Sequence, residues 1–383
     1  MTSPVGRALT GIAVSALLLG GASGCTDDPP SVPPTTSAAP STTPPTRTAT
    51  PTATPPRTTP AVERGSDVAT GLEVPWGIVA LPGGRQILVA ERISGRIDRI
   101  TLATGERTTL GTVSGVSARG EGGLLGLALS PGFAQDRTLF VYLTTADDNR
   151  VVRMPVNGDR LGQATPIVTG IPSASIHNGG RIAFGPDRKL WITTGDAGDG
   201  SSAQDRSSLA GKILRAEADG GVPSDNPFDT LVWSYGHRNV QGIAWDSSGQ
   251  PWATEFGAND RDELNKIVKG GNYGWPTVEG ASNDDRFVAP AITWPTSESS
   301  PSGIAIVDDV AYVAALRGQR VWQVPLWNGQ AGEPIARLDG NLGRVRTIIP
   351  APDGSGLLVG TSNRDGRGDP RPGDDRIVRV TLG

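Results

Sequence analysis

Only two histidines occur in this 383-residue chain, and one of them, His177, sits between Ile176 and the Asn178-Gly179-Gly180 turn in the run SIHNGGRIAFGPDRKLWITTGD. The run ends on Asp196. His177 precedes one alternating apolar stretch and Asp196 follows the next, so a hairpin between the two stretches would bring both side chains to one rim. A carboxylate beside an imidazole holds one tautomer and raises the basicity of the ring, which is what a general base needs. Taken alone, these residues leave a second reading open, a turn histidine hydrogen-bonded to backbone. The other histidine, His237 in WSYGHRNVQG, reads as structural, fixing the loop that presents Arg238.

The elements that must position these residues repeat along the chain. Six segments share a plan of apolar strand, turn and apolar strand, often with a further strand rich in Ile, Val and Arg. They begin at Trp76, Gly123, Arg181, Gly242, Gly303 and Arg346. Their turns carry Pro, Gly or Asp, which supply tight hairpin geometry, and their flanks alternate as half-buried strands do. A spacing of roughly 45 to 60 residues is that of a four-stranded propeller blade with insertions. The expected fold is therefore all-β, a six-bladed β-propeller of four-stranded antiparallel blades. A pair of β-sandwiches is the alternative, and it leaves the sixfold repeat unexplained. In a propeller, loops at one end of the central channel converge, so residues far apart in sequence can meet there.

Further runs follow in order: GLLGLALSP after Gly120-Glu121, His177 with GGRIAFGPD, GHRN with QG, DELN with GGNYGWP, WPT, and the pair Arg344 and Arg346 in GRVRT. With these runs the chain, from about Val74 to Val380, resembles the glucose/sorbosone dehydrogenase family. Its members are six-bladed propellers that use pyrroloquinoline quinone (PQQ) and calcium to oxidise aldose sugars. The resemblance implies His177 as general base and Asp196 as the acid that orients it. It implies Arg238 and Asn239 at the reactive oxygens of the quinone, and Arg344 and Arg346 at its carboxylates. Arg317 falls where the best-known members have lysine, and Trp294 matches an aromatic beside the substrate. The carbonyls of Gly257 and Ala258 match calcium ligands next to the quinone. Glu263 and Tyr273 match a second, structural calcium site.

The chemistry of the side chains agrees with what the resemblance implies. PQQ carries three carboxylates, and planar guanidinium groups bind carboxylates bidentately. Arg344 and Arg346 alternate on one strand and so point the same way. For each arginine the alternative is a solvated blade edge. Calcium prefers oxygen ligands, which a pair of backbone carbonyls provides, whereas Asp260, Asp262 and Glu263 also read as an ordinary acidic loop. Three positions depart from the family pattern. Ala258 replaces proline, where only the carbonyl matters. Ile176 replaces an acidic residue, which removes a polar sugar contact and points away from glucose itself. Glu121 replaces glutamine and adds negative charge near an anionic cofactor. It reads either as an acceptor for a sugar hydroxyl or as the mark of a site that has lost its cofactor. The implied activity is oxidation of an aldose to a lactone, with electrons passed to an external acceptor. A cofactor-free surface binding propeller and a calcium-dependent lactonase are the alternatives.

Residues 1–25 run from Arg7 through a short apolar core to small residues ending at Cys25, the pattern of an export signal. A signal ending at a lone cysteine resembles a lipobox, although Ala22 stands where leucine is usual. It implies a lipidated Cys25 that tethers the exported protein to the outer side of the cytoplasmic membrane. Residues 26–62 are almost entirely Pro, Thr, Ser and Ala, a stalk that cannot bury a core. At roughly 3.1 Å per residue it reaches up to about 100 Å. The folded domain is expected over 63–383. A net charge of −4 without a basic block excludes nucleic acid as a natural partner, and one cysteine excludes intramolecular disulfides. Replacing the only lipid attachment site, Cys25→Ser, is expected to release the protein from the membrane fraction. Retention as firm as in the wild type, read by immunoblot of fractionated cells, would refute the tether.

Overall fold

The computed structural model describes residues 59–383. The signal, Cys25 and nearly all of the stalk lie outside the described residues. Among those described, 26 strands form six antiparallel sheets, and the helices are two short turns, Phe133–Asp136 and Gly200–Gln204. None is long and apolar enough to cross a membrane. The sheets are the blades of a six-bladed β-propeller. Their first strands are Pro75–Ala80, Leu124–Leu129, Ile182–Phe184, Val240–Trp245, Pro301–Val307 and Val345–Pro350. Each touches the first strand of the next blade, and the last touches the first, closing a ring around a central channel.

Burial on both faces explains the strand sequences. The hydrophobic core divides into six clusters, one at each blade-to-blade interface. In the second strand of blade 1, Gln86–Glu91, Leu88 and Ala90 pack toward blade 2 while Ile87 and Val89 pack toward blade 6. In the second strand of blade 5, Val310–Ala315, Tyr312 and Ala314 face blade 6 while Ala311, Val313 and Ala315 face blade 4. Side chains alternate with period two, so a strand between two apolar interfaces must be apolar at every position.

The last blade takes three strands, Val345–Pro350, Gly356–Thr361 and Ile377–Leu382, from the C-terminal part of the chain, and its fourth precedes the first blade in sequence. Val62–Ala69 pairs antiparallel with Ile377–Leu382, from Val62 opposite Leu382 to Ala69 opposite Ile377. Val68 is buried in the interface between blades 6 and 1. Ring closure is thus a non-covalent clasp between chain ends. Deleting residues 59–69 should expose the edge of Ile377–Leu382 and lower the thermal midpoint by at least about 5 °C, with aggregation on heating. Calorimetry and light scattering would test this, and an unchanged midpoint would mean that the ring closes without the clasp.

Candidate functional site

In every blade the first strand starts and the second strand ends at the same rim of the channel, because the two form an antiparallel hairpin. A cavity of about 420 Å³ opens at this rim, within the size range of small-molecule sites. Residues just before first strands line it: Glu121, His177, Arg238, Asn239 and Arg344. So do residues just after second strands: Arg92, Phe256, Gly257, Ala258, Arg317, Asp365 and Arg367.

His177 and Asp196 meet as their positions in the repeat predict. His177 Nδ1 donates to Asp196 Oδ1 at 2.7 Å, which leaves Nε2 as the basic nitrogen. Asp196 also accepts from the Gly198 N–H at 2.8 Å and from the Trp275 indole at 2.8 Å. Burial pushes the Asp196 carboxyl up, but these hydrogen bonds and the neighbouring imidazole hold it below its ordinary value. The backbone of His177 is left-handed, at φ 55°, a strained conformation for a residue other than glycine. Glu121 Oε2 accepts its N–H at 2.9 Å and its carbonyl accepts the Ala197 N–H. The two loops approach so closely that a Cβ at Gly195 would run into the His177 carbonyl.

Arginines dominate the walls. Arg92, Arg238, Arg317, Arg344, Arg346 and Arg367 line the cavity against the carboxylates of Glu121, Asp262 and Asp365. Asp365 Oδ2 holds both members of the Arg-x-Arg pair, Arg344 at 3.0 Å and Arg346 at 3.3 Å. Arg346 also donates to Ser362 and Gln241. Burial pushes Arg346 down to about 10, a shift opposed by Asp365 and reinforced by Arg92 and Arg344. Mutually repelling cations with too few counter-charges favour an anionic ligand. Glu121 differs from its sequence reading: Oε1 accepts from Arg367 at 2.9 Å while Oε2 holds His177. Its charge is matched by Arg367, so the repulsion expected from sequence is largely answered within the protein.

Arg238 reaches the carbonyl loop, with Nη1 at 2.7 Å from the Gly257 oxygen and 3.3 Å from that of Phe256. Its guanidinium lies over the Trp275 ring at 5.3 Å. Asn239 lines the cavity, and its Oδ1 accepts the Gly179 N–H at 3.0 Å. His237 is fully buried, bonded to Glu255 at 2.8 Å and Ser234 at 2.8 Å and stacked on Tyr273, in keeping with a structural part. Glu255 also accepts the Arg238 N–H. Asp262 takes the N–H groups of Gly257 and Ser300, and burial pushes its carboxyl up to about 6.

Glu263, Tyr273 and Trp294 do not line the cavity. Each oxygen of Glu263 accepts one N–H, from Gly280 at 2.8 Å and from Asn265 at 2.9 Å. Burial and the charge of Glu255 push its carboxyl upward. The Tyr273 hydroxyl donates to the Lys266 carbonyl. Among the described residues no three His, Cys, Asp or Glu side chains gather as a metal site; Glu263 and Tyr273, which the resemblance implies for a second calcium ion, stand beside the buried Glu255 and Asn265 rather than at the cavity. Trp294 lies away from the cavity, buried between blades 4 and 5 and stacked on Trp322 at 5.7 Å. It shares a face of its strand with Ile292, which packs on the same cluster, whereas Thr296, just past the strand end, lines the cavity. Sequence reasoning missed Arg92, Asp365, Arg367 and Trp275. Arg92, which directly follows a second strand, was discoverable from the repeat position that Asp196 and Arg317 share.

A closed six-bladed propeller with an arginine-lined cavity and an imidazole–carboxylate pair at one rim defines a class of small-molecule site on a rigid scaffold. The chain belongs to the Glucose / Sorbosone dehydrogenase family, whose model matches residues 72–371. It is similar to the PQQ-bound aldose sugar dehydrogenase of Streptomyces coelicolor, at 49% identity and TM-score 0.83 over 86% of this chain and 100% of that one. It is 35% identical to an uncharacterised protein of Synechocystis sp. over 77% of this chain and 83% of the relative. It is also 34% identical to the aldose sugar dehydrogenase YliI of Escherichia coli (strain K12), over 57% of this chain and 63% of that protein.

The placement of Trp294 leads to a separable outcome. Trp294→Ala should lower stability by about 3–5 kcal/mol, while Trp294→Phe should leave the Michaelis constant for sugar unchanged. Denaturant melts and steady-state kinetics would read the two effects. A raised Michaelis constant at wild-type stability would return Trp294 to the substrate site.

Proposed function

We propose that the rim cavity binds PQQ with a calcium ion and that the protein oxidises an aldose at its anomeric carbon to a lactone. The observation that carries this reading is the charge pattern: six guanidinium groups against three carboxylates around one cavity that also holds His177. The excess of cations fits a cofactor with three carboxylates, and Arg344, Arg346, Arg317 and Arg92 are the residues that would hold them. The carbonyls of Gly257 and Ala258 are oxygen donors of the kind calcium prefers. Further support comes from the similarity to the PQQ-bound Streptomyces coelicolor enzyme.

His177 Nε2 takes the proton of the anomeric hydroxyl as the C–H bond breaks. Asp196 keeps Nδ1 protonated and stabilises the imidazolium that forms. When bound, the quinone would supply the acceptor for the hydride, with an external acceptor taking the electrons onward. Arg238, held by the Gly257 carbonyl and the Trp275 ring, supplies positive charge where negative charge develops. Glu121, committed to His177 and Arg367, acts by holding the base in place. Export and a lipid tether at Cys25 belong to the same proposal.

Spectral titration of the purified protein with PQQ, with and without calcium chelator, tests the site. Binding that needs calcium is expected. No binding under either condition would favour a surface binding propeller, and hydrolysis of lactones without quinone would favour a lactonase. In the loaded protein His177→Ala should lower turnover on a sugar panel by about 10² to 10⁴ while cofactor binding stays near wild type. Near-normal turnover would remove His177 from the base role.

A further inference from the structure

Glu279 is no part of the cavity wall, yet one of its oxygens gathers an unusual set of donors. Oε1 accepts the backbone N–H groups of four consecutive residues: Ala258 at 2.7 Å, Asn259 at 3.0 Å, Asp260 at 2.9 Å and Arg261 at 2.9 Å. The preceding N–H, that of Gly257, is taken by Asp262 Oδ1 at 2.9 Å. Five successive amides are thus turned toward carboxylates, which makes the loop a backbone nest around an anion. In a trans peptide unit the N–H and C=O point in opposite directions. The capture of the Ala258 N–H therefore turns the Gly257 carbonyl away from Glu279, and capture of the Asn259 N–H does the same for the Ala258 carbonyl. The Gly257 oxygen meets Arg238 at 2.7 Å, and both residues line the cavity. Glycine is required at 257: a Cβ there would collide with the Arg261 carbonyl and approach Glu279 Oε1 to 2.6 Å.

Glu279 arrives from outside the loop it organises. It lies in the long connection between the third strand of blade 4, Arg261–Lys266, and the fourth, Ile292–Pro295. The next residue, Gly280, donates its N–H to the buried Glu263, which anchors the segment. Among the described residues no other side chain is bonded to the four amides of 258–261, so without Glu279 they would have to turn to water.

We infer that Glu279 is a positioning residue for the cation site: its carboxylate folds the 257–261 loop so that the Gly257 and Ala258 carbonyls face the cavity as a preformed pair of oxygen ligands. The inference rests on the reading of the cavity as a calcium and quinone site. Preorganised ligands lose less freedom on binding, so the effect of Glu279 falls on cation affinity.

The test is calorimetric titration of calcium into wild type, Glu279→Gln and Glu279→Ala, each mixed with PQQ, together with the melting temperature of each protein without ligands. Glu279→Ala is expected to weaken calcium binding at least about tenfold. Glu279→Gln should fall between it and wild type, about threefold or more weaker, because its amide oxygen still accepts but carries no charge. Wild-type calcium affinity in both variants would overturn the inference. If Glu279→Ala does not fold, Glu279→Gln decides alone: a shift of about threefold or more supports the inference, and an unshifted affinity overturns it. Failure of the wild type itself to bind calcium with PQQ would instead bring down the underlying reading of the cavity, and this inference with it.

Discussion

Burial of each blade on both faces is the constraint from which the rest of this structure follows. A second strand such as Gln86–Glu91 or Val310–Ala315 sits between two apolar interfaces and cannot carry a charged group in its middle without heavy cost. Chemistry is therefore displaced to strand ends. Because first and second strands form an antiparallel hairpin, the start of one and the end of the other share a rim, and six such pairs encircle the channel. The cavity is the place that this arrangement leaves for polar groups.

The two ends of the channel differ accordingly. At the cavity rim the first strands begin next to Glu121, His177, Arg238 and Arg344. At the opposite end the same strands finish in Ile78–Ala80, Leu127–Leu129, Ile243–Trp245 and Ile304–Ile306, which line an apolar funnel. The asymmetry concentrates positive charge at one mouth. Arginine suits such crowding because its guanidinium stays charged where a buried ammonium would more readily lose its proton. Burial lowers Arg346 to about 10, still well above neutrality.

Carboxylates at the site serve mainly to hold loops. Asp196 fixes the His177 ring, Glu121 fixes its strained backbone, Asp365 gathers Arg344 and Arg346, Glu255 supports the His237-Arg238 turn, and Glu279 shapes the carbonyl loop. Each joins segments from different strands or different blades. A rigid ring of sheets sets the approximate distances, and these charge-assisted hydrogen bonds bring them to bonding range.

The sequence by itself determined the number of blades, their antiparallel hairpins and the meeting of His177 with Asp196. These depend on period-two alternation and turn chemistry, which are local, and on repeat position, which maps directly onto a rim. Site membership of Arg238, Asn239, Arg317, Arg344 and Arg346 was legible through resemblance, and the cavity contains all five. Tertiary structure alone decided what depends on partners far apart in the chain. Glu121 is neutralised by Arg367, which is 246 positions away, a pairing no local pattern announces. The strand Val62–Ala69 completes the last blade because the ends of a closed ring must meet. Trp294 belongs to an interface because its side of the strand faces blade 5, and sequence position does not record which neighbour lies opposite. Glu263 accepts the N–H groups of Gly280 and Asn265 beside a second buried carboxylate, Glu255. A carboxylate becomes a ligand, a clamp or a buried acid according to the donors that reach it, and those donors are brought together only by the folded chain.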